Sequence, residues 1–268
     1  MMSDMTFQEG TNPYFLPGGT VGCLMLHGFT TTPFNLRWLA ETLHEQGCTV
    51  HGPRLAGHGT SAQALNHIRW QEWYLSALSG YMLLREHCEQ IVIIGFSFGG
   101  ALSCLLAANQ PVDALILMAA PHKLDVPFRR LLPLLSKVVK TLPKTHLAPL
   151  EEDPLHQRVT AMQRQRGEAE VGVPGLRVWP LPAIVQLGKV LEQLPEAQAR
   201  VTAPTLLMHG KQDATVPFEA MQAHFNAIAS ADKRMCPFEE SGHDLSLGPE
   251  ATAVRQTIAT FIQEKVNP

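Results

Sequence analysis

The chain has 268 residues, 45% of them apolar and 17% charged, with a formal net charge of −3. That supplies enough apolar side chain for a sizeable core and excludes a disordered or low-complexity chain. The near-balanced charge gives no electrostatic basis for binding nucleic acid or an anionic membrane. Five cysteines, an odd number without a C-x-x-C pair, argue against a disulfide framework or a zinc site and point to a reducing compartment. Met1–Pro13 lacks the basic and apolar regions of a secretory leader. No apolar run approaches the roughly 20 residues of a membrane-spanning helix, so a cytoplasmic protein without a stable membrane anchor is expected.

In chain order, Tyr14–Leu16 reads as a hairpin partner, across Pro17-Gly18-Gly19, of the first good strand, Val21–Leu26. Phe34–Gln46 has a helical apolar period closed by Gly47. Cys48–His51 is a short strand, followed by the loop Arg54-Leu55-Ala56-Gly57-His58-Gly59. Trp70–His87 reads as a helix, and Ile91–Ile94 as a strand buried on both faces of a parallel sheet. A helix at Ala101–Ala108 and a strand at Asp113–Ala119 follow.

The rhythm then changes. From about His122 to Arg200 no strand is expected. Phe128–Leu142 is Leu-rich and amphipathic; its apolar face is read as covering the site, with a membrane-surface helix as the rival reading. Glu151–Glu170 and Pro182–Leu194 read as helices. Strand–helix alternation resumes with Thr205–Met208, Phe218–Ile228, Lys233–Phe238 and Glu250–Glu264. The pattern implies one α/β domain over residues 1–268, a mostly parallel sheet flanked by helices, with a helical lid inserted between strands at about 122–200.

The chemistry centres on Gly95-Phe96-Ser97-Phe98-Gly99-Gly100, a G-x-S-x-G motif between a buried strand and a helix. A turn this tight strains the serine backbone, needs glycines two residues to either side, and lifts the hydroxyl above the sheet at the positive end of a helix. A serine hydroxyl needs a base, and the partners are expected in the order Ser, acid, His, after later strands. Asp213 follows the strand Thr205–Met208, and His243 follows Lys233–Phe238. Both lie where open α/β sheets build their sites. His209 reads as one loop too early, Asp244 as facing away from the His243 ring, and Asp232 as being on the wrong edge of the sheet. Asp125 is the credible alternative acid. An oxyanion hole is expected from the backbone N–H groups of Phe29, in His27-Gly28-Phe29, and of Phe98. Gly57-His58-Gly59 reads as turn geometry. No metal or cofactor motif is present, so none is expected.

The segments HGFTTTP, RLAGHGT, GFSFGG, HGKQD and SGHDL, in this order, resemble the α/β-hydrolase superfamily, and within it the small bacterial carboxylesterases and monoacylglycerol lipases. The resemblance runs from about Tyr14 to Phe261. It implies a Ser97–Asp213–His243 triad and hydrolysis of a small-molecule ester through an acyl-enzyme. The triad alone does not separate an esterase from a thioesterase, a C–C bond hydrolase, a peptidase or a low-turnover receptor. With no Lys or Arg in the motif loops beside Ser97, an uncharged ester is expected, with lid residues such as Arg129 or Arg177 as the exceptions to watch.

Overall fold

The computed structural model describes residues 6–124, 130–145 and 148–266. The strands β1 (Tyr14–Leu16), β2 (Val21–Leu26), β3 (Thr49–Gly52), β4 (Gln90–Phe96) and β5 (Ala114–Met118) alternate with α1 (Arg37–Glu45), α2 (Ala62–Asn66) and α3 (Trp70–His87). Helix α4 (Phe98–Ala107) joins β4 to β5. Then come α5 (Leu132–Val138), β6 (Thr141–Pro143), α6 (Pro154–Gln165), β7 (Val178–Pro180), α7 (Leu181–Glu192) and α8 (Leu194–Gln198). The chain returns to the sheet through β8 (Thr205–Gly210), α9 (Glu219–Ala227), β9 (Lys233–Phe238) and α10 (Ala251–Lys265).

Seven strands form one sheet in the order β1-β3-β2-β4-β5-β8-β9, parallel except for the edge strand β1. Its central strands are apolar on both faces because each face is covered. Leu24, Ile93, Leu115 and Leu207 pack with Trp73 and Tyr81 of α3 and Leu102 of α4. Cys23, Val92, Ile94 and Ile116 pack against Leu39 of α1 and Ile258 of α10 on the other side. Cys23 and Cys104 are fully buried, as small core residues. The strand order reverses between β2 and β4. The motif loops after β2, β4, β8 and β9 therefore open at one carboxyl-end edge, where this architecture binds ligands.

Four expectations change. Tyr14–Leu16 does not pair with Val21–Leu26; it runs antiparallel to β3, with Phe15 opposite His51. The Pro17-Gly18-Gly19 segment crosses the sheet end instead of turning back, with Gly19 N donating to Gly47 O at 2.6 Å. The 122–200 segment does contain strands: β6 and β7 pair antiparallel, Leu142 opposite Trp179. They are three residues each and end in proline, too short for a period-2 signal. Helix α4 begins at Phe98, not Ala101, because the strand passes into the helix with only Ser97 between. The Leu-rich run divides as well. Leu132 and Leu135 face the cavity described below, while Val138 is 84% exposed. Among the described residues no helix is long and apolar enough to cross a membrane.

Candidate active site

Ser97 is the N-cap of α4 and has φ 51°, ψ −122°, a left-handed conformation that disfavours any side chain but glycine. The surroundings leave it no alternative. Its N–H donates to Met118 O of β5 at 2.7 Å and its carbonyl accepts from Gly100 N at 2.8 Å. The flanking glycines are sterically required: a Cβ on Gly99 would stand 2.0 Å from Leu26 O, and one on Gly95 would stand 2.3 Å from Ser103 Oγ. The strained turn expected from the motif is present, and packing on both sides holds it there.

The three side chains singled out in the sequence come together from three loops. His243 Nε2 lies 3.0 Å from Ser97 Oγ, and His243 Nδ1 lies 2.7 Å from Asp213 Oδ2. The imidazole packs on the Phe96 ring, centroids 5.0 Å apart. Asp213 is fixed by its own loop, since Oδ1 accepts from the amides of Thr215 at 2.8 Å and Val216 at 2.9 Å. Its loop is tied to the histidine loop, with Gln212 N donating to Ser241 O at 3.0 Å. Burial alone would raise the Asp213 carboxyl. The hydrogen bonds from His209 and His243, the charge of His243 and the Val216 amide outweigh it and hold the carboxyl well below its usual range.

His209, read as one loop too early to serve Ser97, reaches the acid instead. Its Nε2 lies 3.2 Å from Asp213 Oδ2 and 3.0 Å from Val216 O, so two imidazoles converge on one carboxylate oxygen. Both neighbours are acceptors, so His209 carries its proton on Nε2. The signal was its position, ending β8 four residues before Asp213. Asp244 Oδ1 accepts from Asn35 Nδ2 at 2.9 Å, and burial raises its pKa. Asp232 sits at the opposite end of β9, where it pairs with Lys265 at 2.5 Å. Asp125 and Arg129 lie outside the described residues.

Phe29 and Phe98 flank the serine. Phe98 opens α4, so its N–H is one of the helix's first amides without an intrahelical acceptor. The residue before Phe29, Gly28, abuts the nucleophile turn so closely that a Cβ there would be 3.2 Å from Ser97 Cβ. His27 braces this loop: its Nδ1 is 3.0 Å from Gly28 O, and its Nε2 accepts from Leu55 N at 3.1 Å. The Gly57-His58-Gly59 segment is a turn, with both glycines at positive φ. His58 packs against His27, Phe29 and Trp73 rather than reaching Ser97. Burial holds His58 down to about 4 and His27 well below its ordinary value, so both are neutral packing groups.

Ser97 and His243 open into a cavity of about 600 Å³. Its far wall is apolar, built by Leu132, Leu135, Leu181, Ile184, Leu187 and Leu191 of the 122–200 segment. The near end is polar, with Thr30, Asn35, Lys144, Arg177 and Asp244. Among the described residues no cluster of His, Cys, Asp and Glu has the form of a metal site.

A family model described as serine aminopeptidase, S33, matches residues 21–250. The chain belongs to this α/β-hydrolase family. It is an enzyme, and its relatives are hydrolases along nearly their whole length. It is 24% identical over 261 residues to a carboxylesterase of Bacillus subtilis (strain 168), covering 94% of this chain and 96% of that one. It is 28% identical over 239 residues to a thermostable monoacylglycerol lipase of Bacillus sp. (strain H-257), covering 89% of each. A solved structure reported for LipS and LipT, metagenome-derived lipolytic enzymes, superimposes with a TM-score of 0.84 at 24% identity, over 97% of this chain and 100% of that one. That last likeness is one of fold.

Proposed function

We propose that this S33-family enzyme is a serine hydrolase of carboxylic esters with a short to medium acyl chain, of carboxylesterase or monoacylglycerol lipase type. The observation that carries the reading is the chain of contacts Asp213 Oδ2–His243 Nδ1, 2.7 Å, and His243 Nε2–Ser97 Oγ, 3.0 Å, on a serine held at φ 51°. In the proposed cycle His243 Nε2 takes the Ser97 proton as Oγ attacks the ester carbonyl. Asp213 keeps the proton of His243 on Nδ1 and stabilises the imidazolium. The N–H groups of Phe29 and Phe98 receive the oxyanion, a donor of this kind being worth about 2.7–4 kcal/mol. His243 returns its proton to the leaving alcohol oxygen. Water then repeats the attack on the acyl-enzyme, releasing the acid and restoring Ser97. Every bond made or broken is accounted for by these groups.

The family description names a peptidase, while the apolar cavity wall and the two relatives favour an ester of an apolar acid. In this reading the sheet and its loops form one catalytic domain, and the segment at about 122–200 acts as the lid that shapes the acyl site. A fluorophosphonate is expected to add once, at Ser97, and Ser97→Ala to lose nearly all turnover of an aryl butyrate. Labelling elsewhere with an active Ser97→Ala variant refutes the assignment. Faster turnover of an aminoacyl anilide than of the aryl butyrate refutes the ester reading while leaving the nucleophile in place.

A further inference from the structure

The motif loops themselves carry no Lys or Arg beside Ser97, but Lys123, Lys144 and Arg177 line the cavity, and Lys144 is the one held on the loop that carries Phe29. Lys144, just beyond β6, reaches the loop after β2, and its Nζ donates to Thr30 Oγ1 at 2.6 Å. The ammonium also stands 4.5 Å from the centre of the Trp179 ring. Thr30 follows Phe29, has φ 61°, and donates to Phe29 O at 2.6 Å. Lys144 lines the same cavity as Ser97 and His243.

Among the described residues no carboxylate oxygen lies within 4.0 Å of Lys144 Nζ. Burial pushes Lys144 down to about 8, opposed by the charge of Asp244 and reinforced by that of Arg177. Asp244 supplies a favouring charge, but from beyond 4.0 Å, and its Oδ1 accepts from Asn35 Nδ2. Arg177, by contrast, is occupied: it pairs with Asp153 at 3.4 Å and donates to Ala148 O. A hydroxyl and a ring face answer only part of an ammonium with three donors. Charge taken from water without a partner is unfavourable, and an anionic ligand group would supply that partner.

We propose that Lys144 forms an anion subsite at the polar end of the Ser97 cavity, and that the preferred ester carries a carboxylate or phosphate on its alcohol half. The inference rests on Ser97 being the nucleophile of an ester hydrolase. The apolar wall takes the acyl chain, which leaves the polar end beside Thr30 for the departing alcohol. A charge-assisted hydrogen bond in a partly dehydrated site discriminates charged from neutral ligands by about ten- to a hundredfold.

The test uses three esters with one acyl group, octanoyl, on glycerol, on glycerol phosphate and on glyceric acid. The full-length enzyme is expected to show kcat/KM about tenfold or more higher for at least one anionic ester than for the glycerol ester. Phosphate and carboxylate are told apart by which of the two leads. Lys144→Met is expected to erase that preference and Lys144→Arg to retain part of it. A wild-type enzyme that favours the glycerol ester overturns the proposal. So does a Lys144→Met variant that slows all three esters by one factor, which would make Lys144 a tether holding Thr30 in place. An enzyme that hydrolyses none of the three and takes no fluorophosphonate fails the ester reading itself, and the subsite falls with it.

Discussion

The two walls of the cavity are built in different ways. On the sheet side, β2, β4, β5 and β8 are buried along nearly their whole length, and the turn at Ser97 is clamped between Met118 O, Leu26 O and Ser103. On the other side, α5 turns Leu134 and Val138 outward at 65% and 84% exposure while Leu132 and Leu135 face the cavity. Close packing permits one arrangement of backbone and side chain, which is what reacting atoms within 3 Å of one another require. Apolar contact from a more loosely packed segment tolerates substitution and selects mainly by volume. In the proposed reading the first wall sets where bonds are made and broken, and the second sets what reaches them.

That contrast can be broken by substitution. The largest effect is expected from Asp213→Asn, which keeps the size but lets the imidazole take the wrong tautomer. Its kcat is expected to fall by about 10⁴, with a loss of about 1–3 kcal/mol in stability because the amide NH2 would face the N–H groups of His209 and His243. Near-normal turnover, with Asp125→Asn crippled instead, would move the acid one strand earlier. Next in size is a pair of glycines. Gly99→Ala drives a methyl group into Leu26 O and is expected to destabilise by about 3–5 kcal/mol or prevent folding. Gly188→Ala, in α7, meets only the tip of Leu124 at 3.2 Å and is expected to stay within about 1 kcal/mol of the parent by urea titration. Equal losses at the two positions would erase the distinction.

Acid should act first on the sheet side, through buried neutral histidines. His58 is held at about 4 and His224 at about 3, against an ordinary value of 6.5. Their folded pKa values are depressed, so the unfolded chain takes up protons first. Their contribution is complete above pH 6.5 and is lost as pH falls toward the folded values. Each is worth at most about 3 kcal/mol near pH 4. Asp213, also depressed, loses its contribution only at lower pH still, below the ordinary carboxylate range. Urea midpoints measured from pH 8 to 4.5 are expected to drop below pH 6.5, and His58→Gln is expected to flatten that drop. The smallest effect comes from the far wall. Leu187→Ala enlarges the apolar end and is expected to move the acyl-length optimum by one or more methylenes, each worth about 1–3 kcal/mol, with acetate esters little affected. An optimum that does not move would remove this segment from acyl selection.

Most of the sheet and its site can be read in the chain itself, for a local reason. A parallel strand buried on both faces must be apolar throughout, and a strand-to-helix turn carrying a serine at positive φ admits only glycine where Leu26 O and Ser103 press in. Ile91–Ile94 and Gly95–Gly100 therefore mark their own structure, and the order Ser97, Asp213, His243 follows from the order of the strands. The partner of β1, the β6–β7 pair and the reach of Lys144 to Thr30 leave no such mark. Each depends on segments distant in sequence meeting in space: His51 beneath Phe15, Trp179 opposite Leu142, and an ammonium placed 114 residues from its hydroxyl acceptor. Periodicity and motif spacing report the environment of a residue along its own strand or helix. They carry no information on which distant residue will share its cavity, and packing of the whole chain alone decides that.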